Sequence, residues 1–197
     1  AVLSNYYQEN SFTEYGKEAN PNGFWQFNFS PLGVYRQENW VANIKGFNNV
    51  FIGSEIYYDA GRFARYYSYG AVEVIYEGGN SESGKVENGW DWNIIPGTTT
   101  IHLPFDKIEA ENDRQDESTL SEFAGALRFG NKDEYYLENE PQLEGTIGIY
   151  GMNFIQKKIS STHNPSFTFR KSMFCINGKI VCLGSGINND DSQFPTR

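Results

Sequence analysis

The sequence predicts an all-β fold, an antiparallel β-sandwich. Three observations carry this. Short runs rich in β-branched and aromatic residues follow one another, each bounded by Gly, Asn, Asp or Pro. One pair of runs is joined by Asn177-Gly178, a strong short-range hairpin signal. No stretch shows the 3.6-residue period of a long amphipathic helix. Runs with one apolar face bury it against one another, so two sheets packed face to face are the natural arrangement. Aromatic residues make up 16% of the chain, and their rings supply burial that offsets chain entropy.

In chain order, Phe24–Phe29 alternates apolar and polar, and Trp40–Lys45 does so less cleanly. Val50–Ile52, Ala71–Tyr76 and Thr98–Leu103 are further expected strands. The span Phe105–Ser121 has room for a short helical turn but reads as a loop. Phe123–Phe129, Thr146–Tyr150 and the hairpin around Asn177-Gly178 complete the set. Residues 1–20 form a polar lead-in and 21–197 one sandwich domain, expected to be incomplete at its C-terminal end, where Asn188–Arg197 reads as a loop entering another strand. Both ends read as cut, so the sandwich is expected to be truncated.

The hairpin bears on the two cysteines. A two-residue turn pairs Ile176 with Lys179, Cys175 with Ile180 and Met173 with Cys182. The sulfurs then share a face but sit diagonally, roughly 7–8 Å apart, too far for an unstrained disulfide. Two free, half-buried thiols are expected, and no His or second Cys pair lies nearby to make a metal site.

Charge removes some functions. Lys and Arg number 16 against 25 Asp and Glu, a net charge of −9. No nucleic-acid partner is expected, since that affinity rests on a basic surface. No apolar run reaches eighteen residues, so no membrane-spanning helix is expected. Asp106–Glu144 holds 12 acidic and 4 basic side chains and so carries nearly all the imbalance. It reads as a solvated surface, without EF-hand ligand spacing.

Two clusters stand out as chemistry. Gly53–Gly70 crowds Glu55, Tyr57, Tyr58, Arg62, Arg65 and further tyrosines between two strands. It reads either as an aromatic hairpin with exposed charges or as a cleft wall, where rings stack on sugars and guanidiniums meet carboxylate or sulfate. Gly89–Pro104 sets Trp90, Asp91, Trp92 and Asn93 ahead of a Pro96-Gly97 turn. Core packing is the alternative there, since a buried Trp needs a partner for its N–H. His102 and His163 have no local ligand or nucleophile partner and read as structural or surface residues. There is no GxSxG elbow, Walker A loop or GxGxxG.

Trp90-Asp91-Trp92-Asn93 followed by Pro96-Gly97-Thr98-Thr99-Thr100-Ile101-His102-Leu103-Pro104 resembles a segment of polysaccharide lyase family 8, in its chondroitin sulfate ABC lyase branch. Three further stretches agree in order. They are Gly23–Asn28, Ser54–Tyr57 with Arg65–Gly70 behind it, and Arg170–Ser172 leading to Leu183–Ile187. The resemblance runs from about Pro21 to the end and is weak over Asp106–Asn164.

The resemblance implies the opening part of the family's β super-sandwich, in a parent enzyme that cleaves chondroitin or dermatan sulfate, with hyaluronan a further substrate to test, by β-elimination. The alternative is a glycan-binding or scaffold module without chemistry. In this family a His, a Tyr and an Arg on an upstream helical domain do most of the work, and a Glu from the β domain completes the set. Glu55 matches that Glu; the implied role is to orient and polarise the other groups. Tyr57, Tyr58, Arg62, Trp90 and Asn93 are the implied substrate-binding residues. Tyr58 stands where the family carries Asn, and Ile94 where the branch carries Arg. The implied partners are an acidic glycosaminoglycan, the upstream helical domain and a downstream β domain. No cofactor is required by the sequence, and assistance by a divalent cation, Ca or Mg, is left open. The substrate class implies secretion or a bacterial periplasm, and the 197-residue chain alone is expected to be inactive.

Overall fold

The computed structural model describes residues 22–51, 53, 63–78, 90–108, 121–129, 147–156 and 166–197. Two four-stranded antiparallel sheets account for the strands among them. The first takes β1 (Gly23–Phe27), β2 (Leu32–Gln37), β3 (Trp40–Lys45) and β4 (Ala71–Tyr76) in sequence order. The second takes β5 (Ser121–Phe129), β6 (Ile147–Ile155), β7 (Phe167–Ile176) and β8 (Lys179–Asn189), also in sequence order. A 3-10 helix, Ala64–Ser68, precedes β4, and a four-residue helix, α1 (Phe105–Ile108), stands at the start of the span that read as a loop.

The sandwich forms because one face of each sheet alternates inward. On β6, Gly148, Tyr150, Met152 and Phe154 are buried and their neighbours are not. On β7 the buried set is Phe167, Phe169, Lys171, Met173 and Cys175. These meet Phe24, Tyr35, Ala42 and Ile44 of the first sheet. Phe154 stacks on Phe169 at 4.7 Å and meets Tyr69 at 4.8 Å. A fully buried aromatic ring of this kind contributes roughly 1.5–3 kcal/mol. The Phe24 ring lies where a Cβ on Gly148 would fall, so only a glycine admits it there.

Buried tyrosines tie the layers by their hydroxyls, which need partners once out of water. Tyr150 donates to Pro31 O at 2.9 Å, and Tyr35 accepts from Gly178 N at 2.8 Å. Side chains of β1 and of the turn after it cap the edge of β5: Ala126 N donates to Asn28 Oδ1 and Arg128 N to Gln26 Oε1, each at 2.7 Å.

The hairpin register is the expected one, Ile176 with Lys179, Cys175 with Ile180 and Met173 with Cys182, with Gly178 at φ +72°. Both cysteines are free, but they are not both half-buried: Cys175 is fully buried and Cys182 exposed. The reason is that β8 ends its sheet among the described residues and its side chains are mostly exposed on both faces. Burial pushes the Cys175 thiol up to about 12, with the nearby Cys182 adding to the rise.

Three expectations change. β2 was not anticipated, and it lies at the heart of the first sheet. Val50 and Phe51 are not in a strand: the Asn48 side chain accepts both their N–H groups at 2.9 Å and closes a turn. Thr98–Leu103 makes a single bridge, Ile101 with Thr196, and pairs there with the Pro195–Arg197 segment. The lead-in 1–20, Ile52 and His163 lie outside the described residues.

Candidate functional site

Glu55, Tyr57, Tyr58 and Arg62 lie outside the described residues, but the flanks of their segment do not. At one end the Ser68 hydroxyl donates to Gly53 O. At the other, Phe63 stacks on Phe105 at 4.3 Å and faces Trp92 at 6.2 Å. Tyr67, in the 3-10 helix, meets the same Trp92 at 6.1 Å. Residues Trp90–Pro104 thus fold against the segment that begins at Phe63. The two clusters singled out in the sequence are neighbours in space, joined through Trp92.

Asn93 holds the Trp90–Pro104 loop in shape. It is 7% exposed, which makes it part of the interior. Its Nδ2 donates to Leu103 O at 3.0 Å and to Asp91 Oδ1 at 3.2 Å, while its Oδ1 accepts from Leu103 N at 2.8 Å. The Thr100 hydroxyl donates to Asn93 O at 3.0 Å. The amide therefore acts as a two-sided latch between residues 93 and 103, a geometry only a side chain with both a donor and an acceptor can make. Tyr66 OH donates to Ile101 O at 2.6 Å and fastens the same loop to the 3-10 helix.

Asp91 and His102 face each other on the outer side of this latch, Nε2 to Oδ2 at 3.4 Å, both partly exposed. Partial burial pushes the Asp91 carboxyl up. The Asn93 backbone and side-chain N–H groups, together with His102, outweigh that and hold it below the usual carboxylate value. Asp91 is thus ionised at neutral pH. Trp90 is half-buried, and its Nε1 has no hydrogen-bond partner among the described residues. Ile94 is 56% exposed, so an apolar side chain occupies the surface position expected for a cation.

Lys171 is the residue that sequence reasoning passed over. It is 5% exposed and its Nζ donates to Gly97 O, fixing the Pro96-Gly97 turn onto the second sheet. The signal was present: the inward positions of β7 read Phe, Phe, Lys, Met, Cys, and a lysine in such a series requires a buried acceptor. Burial pushes its ammonium down to about 8, against a smaller opposing effect of Cys182.

Chemically, the described part of the site offers an aromatic wall (Phe63, Tyr67, Trp92, Phe105), an ionised carboxylate and an imidazole, on a loop held by internal hydrogen bonds. Aromatic faces of this kind stack against sugar rings. Among the described residues no group of three or more His, Cys, Asp or Glu side chains is placed to hold a metal ion.

The super-sandwich domain of polysaccharide lyase family 8 matches residues 22–134. A chondroitin sulfate ABC exolyase of Proteus vulgaris is 31% identical over 193 residues, covering 91% of this chain and 18% of the relative. A chondroitin sulfate ABC endolyase of the same organism is 29% identical over 173 residues, covering 88% of this chain and 16% of the relative. The chain thus spans under a fifth of the length of these relatives. Among solved structures, a Paenibacillus xanthan lyase superposes with a TM-score of 0.66 at 19% identity, over 96% of this chain and 16% of that one. At that identity the likeness is one of fold.

Proposed function

The chain belongs to polysaccharide lyase family 8, and on that premise we propose that it is the Glu-bearing β-sandwich part of a lyase that depolymerises chondroitin sulfate, and with it dermatan sulfate and hyaluronan, by β-elimination. The observation that carries this reading is the meeting of the two clusters: Trp92 packs against Phe63 and Tyr67, directly after the segment that holds Glu55.

In the proposed reaction a base removes the C5 proton of a uronic acid. The C4–O bond breaks as the C4–C5 double bond forms, and the leaving oxygen takes a proton from an acid. The C5 proton is weakly acidic while the adjacent carboxylate is charged, so that carboxylate must be neutralised and the enolate-like state stabilised. The base, the acid and the neutralising cation come from an upstream helical domain. Glu55 orients them. Tyr57, Tyr58, Arg62 and Trp90 line the sugar path, and Asn93 holds the loop behind Trp90. The outward row Leu127, Ile149, Phe174 and Val181 crosses all four strands of the second sheet in register, with Leu127 and Val181 about half exposed. That apolar row supports a further β layer packed on it. A polymer of the extracellular matrix as substrate supports an exported enzyme, secreted or periplasmic.

The test is Glu55→Gln in a chain that includes the helical domain. Turnover is expected to fall on the order of 100-fold, as for a catalytic group displaced by about 1 Å, with the melting temperature unchanged. Near-normal turnover removes Glu55 from the site. The 197-residue chain incubated with chondroitin sulfate is expected to give no ultraviolet absorbance of unsaturated uronate. Growth of that signal means that the whole catalytic set lies within these residues.

A further inference from the structure

The chain carries two cysteines and two methionines, and all four lie on the inward face of the second sheet. Met152 on β6 and Met173 and Cys175 on β7 are inward positions, each at most 2% exposed. Register carries that face onto β8, where Met173 pairs with Cys182, Cys175 with Ile180 and Lys171 with Gly184. Paired residues of an antiparallel sheet point to the same side. Cys182 therefore stands directly across from Met173, with Cys175 on one diagonal and Lys171 on the other. Met152 pairs with Lys171 and so lies one strand further from β8.

This spacing suits a shared ion better than a bond. A disulfide needs its sulfurs at about 2.05 Å, and both thiols here are free. Two sulfurs held by one metal ion at about 2.3 Å each stand roughly 4 Å apart. Side chains on a diagonal of a sheet reach across such a gap. The Cys175 thiol also feels Cys182 nearby, beyond the larger effect of its own burial. Zinc takes four ligands, and the hairpin brings three donors together. Two thiols and a flexible thioether are soft donors, the kind that select Cu(I). Cys182 is exposed while Cys175 and Met173 are buried, so the ion has an entry path.

We propose that Cys175, Cys182 and Met173 bind one Cu(I) ion. Each thiol gives up its proton as its sulfur bonds the metal, so one Cu(I) and two thiols become a singly negative dithiolate complex and two released protons. Met173 adds a neutral third donor, and no electron changes hands. Burial pushes the Cys182 thiol up and the Lys171 ammonium pulls against it, so a cation already stands beside the negative charge that the complex acquires.

The experiment is an anaerobic titration of the 197-residue chain with Cu(I) against the chromogenic chelator bicinchoninate, followed in parallel by NMR of methyl-labelled methionine. One equivalent of Cu(I) is expected to leave the chelator. The Met173 methyl signal should shift, and the Met152 signal, on the same face but away from the hairpin, should stay in place. Cys182→Ser, at an exposed position, is expected to keep the melting temperature and lose affinity by about 100-fold or more. Met173→Leu keeps the volume and is expected to lose on the order of 10-fold. The proposal is overturned if the chelator keeps the ion, if the Met173 methyl does not shift, or if Cys182→Ser binds as the parent chain does. It is also overturned by a complex of one ion with two chains, which would mean that Cys182 alone bridges copies.

Discussion

The two sheets are built to different ends. The strands of the first run five or six residues, and the connections after β3 and β4 are long and carry both chemical clusters. The strands of the second run nine to eleven residues, and β7 passes to β8 through two residues. On β7 burial alternates along the whole strand, whereas β8, its hydrogen-bonded neighbour, is exposed almost throughout. The second sheet works as a buttress whose inward side chains support the first, which presents the site. The difference teaches where coupling lies. The sheets meet at a few specific points: Phe24 on Gly148, Tyr150 on Pro31, Tyr35 on Gly178 and Lys171 on Gly97.

Breaking the tightest of these points has the largest expected effect. Gly148→Ala sets a methyl group into the Phe24 ring, and two packed sheets cannot both yield. We expect a loss of about 3 kcal/mol, the upper part of the range for overpacking, or roughly 6–12 °C of melting temperature. Gly151 lies three residues on, on the opposite face, where a Cβ meets only Phe123 at 3.4 Å. Gly151→Ala is expected to change stability by no more than about 0.5 kcal/mol. Urea denaturation of the two variants reads the comparison directly. Equal effects mean that the sheets are not in contact through Phe24.

The next effect is confined to the site. Asn93→Ala strands the N–H and C=O of Leu103, both buried, at a cost of about 2–3 kcal/mol. Because the loop is held by the 3-10 helix through Tyr66 and Trp92 and by β4 through Val72 N donating to Pro96 O, amide exchange should accelerate over residues 90–104 while β6 and β7 keep their protection. His102→Gln, by contrast, removes one half of a surface pair worth about 1 kcal/mol or less. What Asp91 gains from its partners is present above its unfolded value and is lost as pH falls through its lowered folded value. A variant Asn93→Ala that leaves exchange in the loop unchanged refutes the latch.

The features legible in the sequence were the local ones. The Asn177-Gly178 turn set the hairpin register residue for residue, and Trp40–Lys45 and Ala71–Tyr76 are strands at their expected bounds. β2 was missed because an inward position is Gly33, which makes room for Phe24, so the apolar alternation is blank there. β6 runs five residues past Tyr150 because Gly151 reads as a terminator in sequence but lies on the outer face of a continuing strand. At the site, each of the two clusters stood out in composition, but their meeting in space did not. The latch, which joins Asn93 to the backbone of Leu103, was not legible either; Lys171 was legible as a lysine in an apolar inward series, but not its acceptor, 74 residues away.

The smallest expected effect sharpens the comparison at that last contact. Folded Lys171 gives up its proton near 8, where an unfolded lysine does so near 10.5. Between those values the unfolded chain binds more protons, so Lys171 makes stability rise with pH. Cys175 acts in the opposite sense. Its thiol stays protonated to about 12 when folded but ionises from about 9 when unfolded, so above pH 9 it makes stability fall. The stability curve should therefore climb by up to about 1 kcal/mol between pH 8 and 9, level off up to about 10.5 while the two slopes oppose each other, and fall above that. Lys171→Met, which keeps the length but not the charge, should abolish the climb and leave the fall. Cys175→Ala should let the climb continue to about pH 10.5. If the parent and Lys171→Met curves run parallel through this interval, the ammonium is solvated, and the Pro96-Gly97 turn does not depend on the second sheet for its position.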